Sequence, residues 1–200
     1  MKKLPLSLPV TGALLAGGRG VRLGGKVKAA LRVDGERLLD RGLAFLGGLC
    51  SETLLLPGPQ RLAAPVRSLP DALPDRGPPG ALLAALEGAT WPFVFALAVD
   101  QPHPSLPAAL TLWDALRRAG AEAALYVRDG RIEPLFGFYA RSCAGPFRRQ
   151  LERGNASFAA LLQEPRIVLL PLAKAPEADR DGHFLESVNS PHDARRLGAR

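Results

Sequence analysis

The chain has 200 residues, 47% of them apolar and 22% charged, so it can bury a core of the size found in single domains of about 100–150 residues. Its two cysteines, Cys50 and Cys143, lack a C-x-x-C spacing and indicate neither a zinc site nor a disulfide framework. Aromatic residues make up only 6% of the chain, which disfavours a base-stacking surface for nucleic acid. We expect one domain over residues 1–200.

The net charge of +7 is concentrated near the amino terminus. Residues 1–50 carry nine Lys and Arg against three Asp and Glu, whereas residues 151–200 carry seven of each kind. Such a field attracts anionic ligands; a generally basic surface is the alternative. Two early lysines before apolar residues look like a signal peptide, but Pro5 and Pro9 interrupt that run. No stretch approaches the roughly 18 apolar residues of a membrane span, so we expect a cytoplasmic protein without a membrane partner.

Short apolar runs alternate with helical patterns, which is typical of βα units around a mainly parallel sheet. The predicted strands cover residues 10–16, 52–56, 66–69, 93–99, 123–127, 135–139 and 167–170. Apolar spacing predicts helices at Leu39, Leu43, Leu46 and Cys50 and at Leu106, Leu110, Trp113 and Leu116. Ser105 stands at the N-cap position of the second helix. The predicted fold class is an α/β three-layer sandwich with a mainly parallel, mixed central sheet.

Two further segments predict local structure. Asp129-Gly130 lies between two predicted strands and indicates a hairpin turn, which makes part of the sheet antiparallel. Residues 173–182 are rich in charge and proline and predict an exposed, mobile loop.

Residues 14–28 form a glycine-rich segment directly after the first predicted strand. It contains five glycines and four basic residues. Glycines let backbone N–H groups converge on a phosphate oxyanion. A Walker A loop does not fit, because Val27 stands where Ser or Thr would bind Mg²⁺. A dinucleotide fingerprint does not fit either, because Leu23 stands at its third glycine. The charge density argues against the remaining alternative, a glycine turn without a ligand.

The segment 15–28 resembles the signature LAGG-x3-R-M-G-x3-K of the GTA-fold nucleotidyltransferases, most of all that of the molybdenum cofactor guanylyltransferases. Five further segments follow that family's order and approximate spacing: Asp71, Gly77-Pro78-Pro79-Gly80-Ala81, Asp100-Gln101-Pro102, Glu133-Pro134-Leu135-Phe136-Gly137 and Val188-Asn189-Ser190-Pro191-His192-Asp193. The resemblance spans about residues 10–196. It implies a Rossmann-like domain similar to nucleotide-diphospho-sugar transferases, with GTP and molybdenum-molybdopterin as substrates and Mg²⁺ as cofactor.

Asp100 follows the apolar run 93–99, which is typical of a central strand. Open α/β sheets bind ligands at the carboxyl ends of their strands, and carboxylate oxygens suit Mg²⁺. Asp100 is therefore the predicted metal ligand, with a capping role in the next turn as the alternative. Asn189 could orient a phosphate or complete the metal shell, and it could equally begin a turn before Pro191.

The resemblance implies three catalytic residues, Arg22, Lys28 and Asp100. Arg22 and the loop amides would hold the β- and γ-phosphates, and Lys28 would stabilise charge at the α-phosphorus. The implied nucleotide-binding residues are Leu15, Ala16, Gly17, Gly18, Arg22, Gly24, Lys28, Asp71, Gly77, Gly80, Asp100 and Asn189. Asp71 and the 77–80 loop would contact guanine, although Asp75 and Arg76 beside them could be an ordinary surface pair.

Several observations keep other activities open. The histidines show no base-and-orienter pattern, which disfavours a covalent triad and suits direct attack by a phosphate. The chain departs from the family at Gly20, Val27, Pro57 and Ser187, and residues 155–157 lack a basic residue often found there. A CTP-dependent or sugar-phosphate nucleotidyltransferase and a non-catalytic nucleotide-binding relative are the alternatives. Proteins that deliver the cofactor or accept the product are further partners that the sequence leaves open.

Overall fold

A seven-stranded sheet forms the centre of the molecule, beside a short two-stranded hairpin. The computed structural model describes residues 7–17, 27–73 and 75–198. The described strands are β1 (Leu8–Leu15), β2 (Arg32–Val33), β3 (Glu36–Arg37), β4 (Cys50–Leu56), β5 (Arg67–Ser68), β6 (Phe93–Ala98), β7 (Ala123–Arg128), β8 (Arg131–Ala140) and β9 (Ile167–Pro171). Each of the seven predicted strands is present in the large sheet. The hairpin β2–β3 was not predicted, since two-residue strands are too short to show an alternating pattern.

The large sheet has the strand order β5-β4-β1-β6-β8-β7-β9. Its described pairs are parallel except where β8 runs antiparallel to β6 and β7. Asp129 and Gly130 connect β7 to β8 with φ angles of 50° and 75°, and positive φ at both positions is the requirement of a type I′ turn. The predicted mixed sheet and its hairpin are confirmed.

Helices cover both faces of the sheet. The described helices are α1 (Leu38–Leu49), α2 (Gly77–Gly88), α3 (Leu106–Ala119), α4 (Ala144–Glu152), α5 (Phe158–Leu161) and α6 (Pro191–Arg196). Because side chains alternate along a strand, Leu14 of β1 shares a core with Leu46 of α1 and Leu112 of α3. Its neighbour Ala13 shares the opposite core with Leu82 of α2. Burial of each such leucine contributes about 1.5–3 kcal/mol to the stability of the fold. Because helices cover both faces of the sheet, the predicted three-layer α/β sandwich is confirmed.

Helix α3 begins and ends where the sequence indicates. The Ser105 hydroxyl accepts a hydrogen bond from the Ala108 amide, which confirms the predicted N-cap, and Gly120 ends the helix at a φ of 57°. Arg117 and Arg118 lie in its last turn, where the negative end of the helix dipole stabilises cations. The helix has 14 residues, and among the described helices none is long and apolar enough to cross a membrane.

The predicted loop at residues 77–80 is instead the first turn of α2. Two prolines follow Gly77, and proline is favoured in a first helical turn because its missing N–H would have no intrahelical partner there. Gly77 itself has a φ of 59°, which favours glycine. The loop prediction was therefore wrong about the structure of this segment.

Two other local predictions also need correction. Cys50 does not end the first helix but begins β4, since α1 stops at Leu49. The predicted mobile loop at 173–182 contains two short 3₁₀ helices, Leu172–Lys174 and Glu177–Asp179, and Ala175 between them is buried in the core. Most charged side chains of this segment are exposed, whereas Ala175 lies in the core and Leu172 packs against it.

Candidate functional site

The candidate site lies where the chain changes direction across the sheet. From β1 the chain passes through α1 on one face to β4, and from β5 it passes through α2 on the other face to β6. Strands β4 and β6 therefore flank β1 on opposite sides. Ligands of open α/β sheets bind outside the carboxyl ends of the strands at such a switch point. A cavity of about 410 Å³ lies there, lined by residues that follow β1 and β6.

Three predicted residues meet in this cavity. The Lys28 ammonium donates from Nζ to Oδ2 of Asp100 and to Oδ1 of Asn189, both at 2.6 Å. The Lys28 and Asp100 side chains retain only 18% and 16% of their exposure. Partial shielding from solvent strengthens the attraction between the two charges relative to a surface pair. The structure thus joins residues from three distant segments into one polar cluster.

A short 3₁₀ helix, Lys28–Ala30, positions the lysine. Ala29 in its centre is buried, and the Leu31 amide donates to the Lys28 carbonyl. The Leu38 amide then donates to the Leu31 carbonyl at 2.8 Å, which connects this turn to the start of α1. Lys28 is therefore attached to the core through its neighbours while its ammonium reaches the cavity.

A backbone contact places Asn189 beside Asp100. The Val188 amide donates to the Asp100 carbonyl at 2.8 Å, and Val188 is fully buried. Ser190 caps α6 by accepting from the Asp193 amide, and the Asn189 amide donates to the Asp193 carboxylate. The hydrogen bond from Ser190 lowers the pKa of Asp193. Asn189 therefore precedes a capped helix, as the turn alternative expects, and its side-chain oxygen contacts Lys28.

The start of the glycine-rich segment forms part of the cavity wall. Leu15, Ala16 and Gly17 line it. A Cβ at Gly17 would lie 3.1 Å from Cα of Gly58, so the loops after β1 and β4 touch through backbone atoms. The remaining predicted residues of this segment, Gly18, Arg22 and Gly24, lie outside the described residues.

The residues predicted to contact guanine are not in the described wall of the cavity. Pro78 lines the cavity, whereas Asp71, Gly77 and Gly80 are not among its described lining residues. Close packing explains the glycine at position 80, because a Cβ there would lie 3.1 Å from the Leu73 carbonyl oxygen. Asp71 has a buried Oδ1 atom without a hydrogen-bond partner in the described part of the chain, and burial raises the pKa of its carboxyl group.

The donor atoms around Lys28 suit a hard cation. Asp100 and Asn189 each direct an oxygen toward the same ammonium nitrogen, and carboxylate and amide oxygens are the ligands that Mg²⁺ prefers. Within residues 7–17, 27–73 and 75–198, no three His, Cys, Asp or Glu side chains are grouped closely enough to hold a metal ion. A metal here would thus need oxygens from a bound substrate, as Mg²⁺ sites commonly do.

Comparison with known proteins identifies the family. The model of the MobA-like NTP transferase domain matches residues 12–167 of the chain. The chain belongs to the MobA-like NTP transferase family. A relative from Chloroflexus aggregans, named probable molybdenum cofactor guanylyltransferase, is 30% identical over 98% of this chain and 97% of its own. A protein of the same name from Synechococcus elongatus is 32% identical over 92% of this chain and 95% of its own.

Solved structures agree with this MobA-like fold. The crystal structure of molybdopterin-guanine dinucleotide biosynthesis protein A from Archaeoglobus fulgidus aligns with a TM-score of 0.81 at 22% identity, covering 94% of this chain and 97% of the other. A 2-C-methyl-D-erythritol 4-phosphate cytidylyltransferase from Thermus thermophilus aligns with a TM-score of 0.69 at 19% identity, covering 93% and 96%. At these identities the likeness concerns the fold alone.

The described positions where this MobA-like chain departs from the expected motif lie in different parts of the structure. Ser187 lines the cavity two residues before Asn189. Pro57 follows β4 directly, and its carbonyl accepts from the Gln60 amide in the turn that carries Gly58. Ser157 caps α5 by accepting from the Ala160 amide. Val27, 37% exposed, precedes the Lys28 turn, and Gly20 lies outside the described residues.

The cavity is also lined by residues for which the sequence predicts no individual role. Gln101, Glu133, Pro134 and Leu135 line it, although the family motifs that contain them were recognised. Their neighbourhood could not be inferred locally, because it depends on the pairing of β6 with β8. The motif itself was the available signal.

Proposed function

We propose that the chain transfers GMP from GTP to the terminal phosphate of molybdenum-bound molybdopterin and releases pyrophosphate. The observation that carries this proposal is the cluster of Lys28, Asp100 and Asn189 at the switch point of the sheet. Family membership supports nucleotidyl transfer, and the names of the curated relatives support the guanylyl group and the acceptor.

In this proposal Lys28 provides the positive charge for the reacting phosphates. Its ammonium has three N–H donors, and its contacts with Asp100 and Asn189 use two of them. These contacts fix the direction of the side chain, so little reorganisation is needed when negative charge develops at the α-phosphorus. Preorganised charge of this kind stabilises a transition state more effectively than a mobile surface lysine does.

Asp100 and Asn189 are the residues that we assign to Mg²⁺. The Asp100 carboxylate has a second oxygen beside the one that accepts from Lys28, and each accepting oxygen has more than one lone pair. Asp100, Asn189 and phosphate oxygens can therefore form a hard donor set beside the ammonium. A bound Mg²⁺ would neutralise phosphate charge and help to align the leaving pyrophosphate. Asp100 keeps this position because the backbone contact with Val188 holds its segment against the loop that carries Asn189.

The attacking group needs no protein base in this proposal. A phosphate acceptor is already anionic near neutral pH, so catalysis consists of charge neutralisation and alignment. The residues of the chain act by holding the two phosphates in line rather than by moving protons.

We assign guanine selectivity to the region of Asp71. A carboxylate can accept from the N1–H and N2–H donors of guanine, and cytosine and adenine lack that adjacent pair. The buried Oδ1 of Asp71 has no hydrogen-bond partner among the described residues, and a buried polar atom without a partner costs about 1–3 kcal/mol. A donor supplied by a bound base would remove that cost.

The test is a transfer assay with Mg²⁺ and molybdenum-loaded molybdopterin. GTP, CTP and ATP are supplied in separate reactions, pyrophosphate is quantified, and the product is identified by mass spectrometry. We expect a GMP adduct and the highest rate with GTP. A preference for CTP would instead assign the chain to the cytidylyl branch, and no pyrophosphate with any nucleotide would indicate a non-catalytic relative.

Asp100→Asn provides the matched variant in the same assay, since it keeps the side-chain shape and removes the charge. We expect it to lose turnover with a smaller change in nucleotide affinity, because charge neutralisation matters most in the transition state. Undiminished Mg²⁺-dependent turnover in this variant would exclude Asp100 as the metal ligand.

A further inference from the structure

A large bulge in β8 forms one wall of the cavity. Leu125 of β7 pairs with Gly137, but the next residue, Tyr126, pairs with Glu133. One step along β7 therefore corresponds to four steps along β8, and residues 134–136 have no partner on β7. Phe136 in this bulge has a φ of 122°, a region that favours glycine. Bulges redirect side chains and end strand pairing, and here Pro134 and Leu135 line the candidate site while Phe136 packs into the core.

The bulge also interrupts the pairing of β8 with β6. The last paired residues are Ala96 and Gly137, although β6 continues to Ala98. The Val99 amide donates to Leu15 on β1, and successive backbone amides point to opposite sides of a strand. The Ala98 amide consequently points toward β8, where the bulge has removed the backbone acceptor.

The side chain of Gln101 fills this gap in the sheet. Its Oε1 accepts from the Ala98 amide at 3.4 Å, and its Nε2 donates to the Leu135 carbonyl at 2.8 Å. A carboxamide has the donor and acceptor of a peptide group, so one side chain replaces the missing link between the two strands. Gln101 is only 5% exposed, and both ends of its amide are satisfied, as a buried polar group requires.

We propose that Gln101 is a positioning residue for nucleotidyl transfer. It follows Asp100 directly, and it holds the Glu133–Leu135 wall at a fixed distance from the Lys28–Asp100 pair without touching the reacting atoms itself. The proposal rests on the proposed function for its effect on turnover. Its structural part, the connection between Ala98 and Leu135, stands independently of the reaction.

The test compares Gln101→Met with Gln150→Met. Methionine has a similar length to glutamine and cannot reproduce the two hydrogen bonds. Gln150 is the matched control because it is also buried and bonded at both ends, to Asn155 and Glu164, and does not line the cavity. Thermal unfolding of both variants measures the general effect of deleting a buried amide.

Two measurements on the complete chain distinguish positioning from stability. Hydrogen exchange of the Ala98 amide, followed by NMR without substrate, is expected to accelerate in Gln101→Met and to stay unchanged in Gln150→Met. The kcat of GMP transfer is expected to fall about ten- to a hundredfold in Gln101→Met, the scale of a misplaced catalytic geometry. The Kd for GTP is expected to change by less than about threefold, since the triphosphate contacts remain.

Wild-type kcat in Gln101→Met would overturn the proposal, and so would an equal loss of kcat in Gln150→Met at the same loss of stability. A wild-type protein that releases no pyrophosphate would refute the proposed function instead. Hydrogen exchange would then test the structural role of Gln101 separately. Unchanged exchange of the Ala98 amide in Gln101→Met would overturn the connection between Ala98 and Leu135, and faster exchange would support it.

Discussion

At the scale of single residues, Lys28 differs from Lys174, the other lysine among the described residues, by its contacts rather than its charge. It is held between Asp100 and Asn189, whereas Lys174 is exposed on a 3₁₀ helix outside the cavity. A simple basic-patch model would give each lysine a similar weight. The geometry instead predicts that one of them dominates phosphate binding.

We therefore predict that Lys28→Ala lowers kcat/KM for GTP by at least about tenfold. A charge-assisted contact contributes about 1.5–3 kcal/mol, and loss of a solvated surface charge costs far less. Lys174→Ala is the matched control and should remain near wild type in steady-state kinetics. Lys26 lies outside the described residues. From the sequence, Lys26→Ala is expected to lower kcat/KM for GTP by only a few-fold. Equal losses at positions 26 and 28 would show that the expected alignment of the glycine-rich segment is incorrect.

The sequence was more informative about where these residues lie in their elements than about which residues they contact. The position of Asp100 in the cavity could be predicted because it follows an apolar run, and open α/β sheets bind ligands at the carboxyl ends of their strands. The contact between Lys28 and Asn189 joins positions separated by 161 residues, and no local pattern encodes it. The approach of Gly17 to Gly58 was equally hidden, since it depends on the adjacency of β1 and β4.

At the scale of elements, glycines have opposite roles in a helix and in a turn. Gly47 lies exposed in α1 without positive φ, and Gly130 lies in the β7–β8 turn at a φ of 75°. A Cβ added at either position would meet no atom within 4 Å. An added methyl group would therefore make no steric clash at either site. The two sites differ only in their backbone conformation, which is helical at Gly47 and left-handed at Gly130.

Gly47→Ala should raise the free energy of unfolding by about 0.5–1 kcal/mol, because alanine is the better helix former. Gly130→Ala should lower it by about 1–2 kcal/mol, because a Cβ disfavours the left-handed conformation. Urea denaturation with constant m-values would measure both changes. The same sign of change in both variants would contradict this account of the backbone.

Element prediction succeeded where one physical signal was dominant. The apolar runs of β1 and β6 identify buried strands, and Asp129-Gly130 identifies a hairpin because few other dipeptides accept its dihedral angles. Prediction failed where signals conflicted. Glycine and proline at residues 77–80 normally indicate a loop, but the same prolines are compatible with the first turn of α2. The bulge in β8 has no local signature apart from Pro134.

At the scale of the whole molecule, the carboxyl-terminal segment completes the candidate site by returning to the sheet. Phe184 packs against Tyr126 and Phe136, with ring centroids 5.3 and 4.8 Å apart. The Ser105 hydroxyl donates to Asp179 at 2.7 Å, and the Val188 amide then reaches Asp100. The position of Asn189 thus depends on tertiary contacts that form only when the chain is folded as a unit.

A pair of histidines lies at the same junction, and the burial of one of them predicts that the stability of the fold depends on pH. His103 stacks on His183 with ring centroids 4.4 Å apart. Burial, followed by the charges of His183 and Arg41, lowers the pKa of His103 from its ordinary value of 6.5, against the opposing effect of Asp34 and Glu186. The folded protein therefore binds this proton less readily than the unfolded chain does.

The sign of the effect follows from proton linkage. Between the lowered pKa of the folded state and the ordinary value of 6.5, the unfolded chain binds more protons, so stability decreases as the pH falls through this window. We predict that His103→Gln reduces this decrease in the free energy of unfolding, measured by urea denaturation at about pH 7.5 and about pH 5.5. His192→Gln is the control, since the His192 side chain is 78% exposed, and it should leave the decrease unchanged. If both variants kept the full wild-type decrease, His103 would not be its source, and the stacked pair would be only a packing contact between the carboxyl-terminal segment and the sheet.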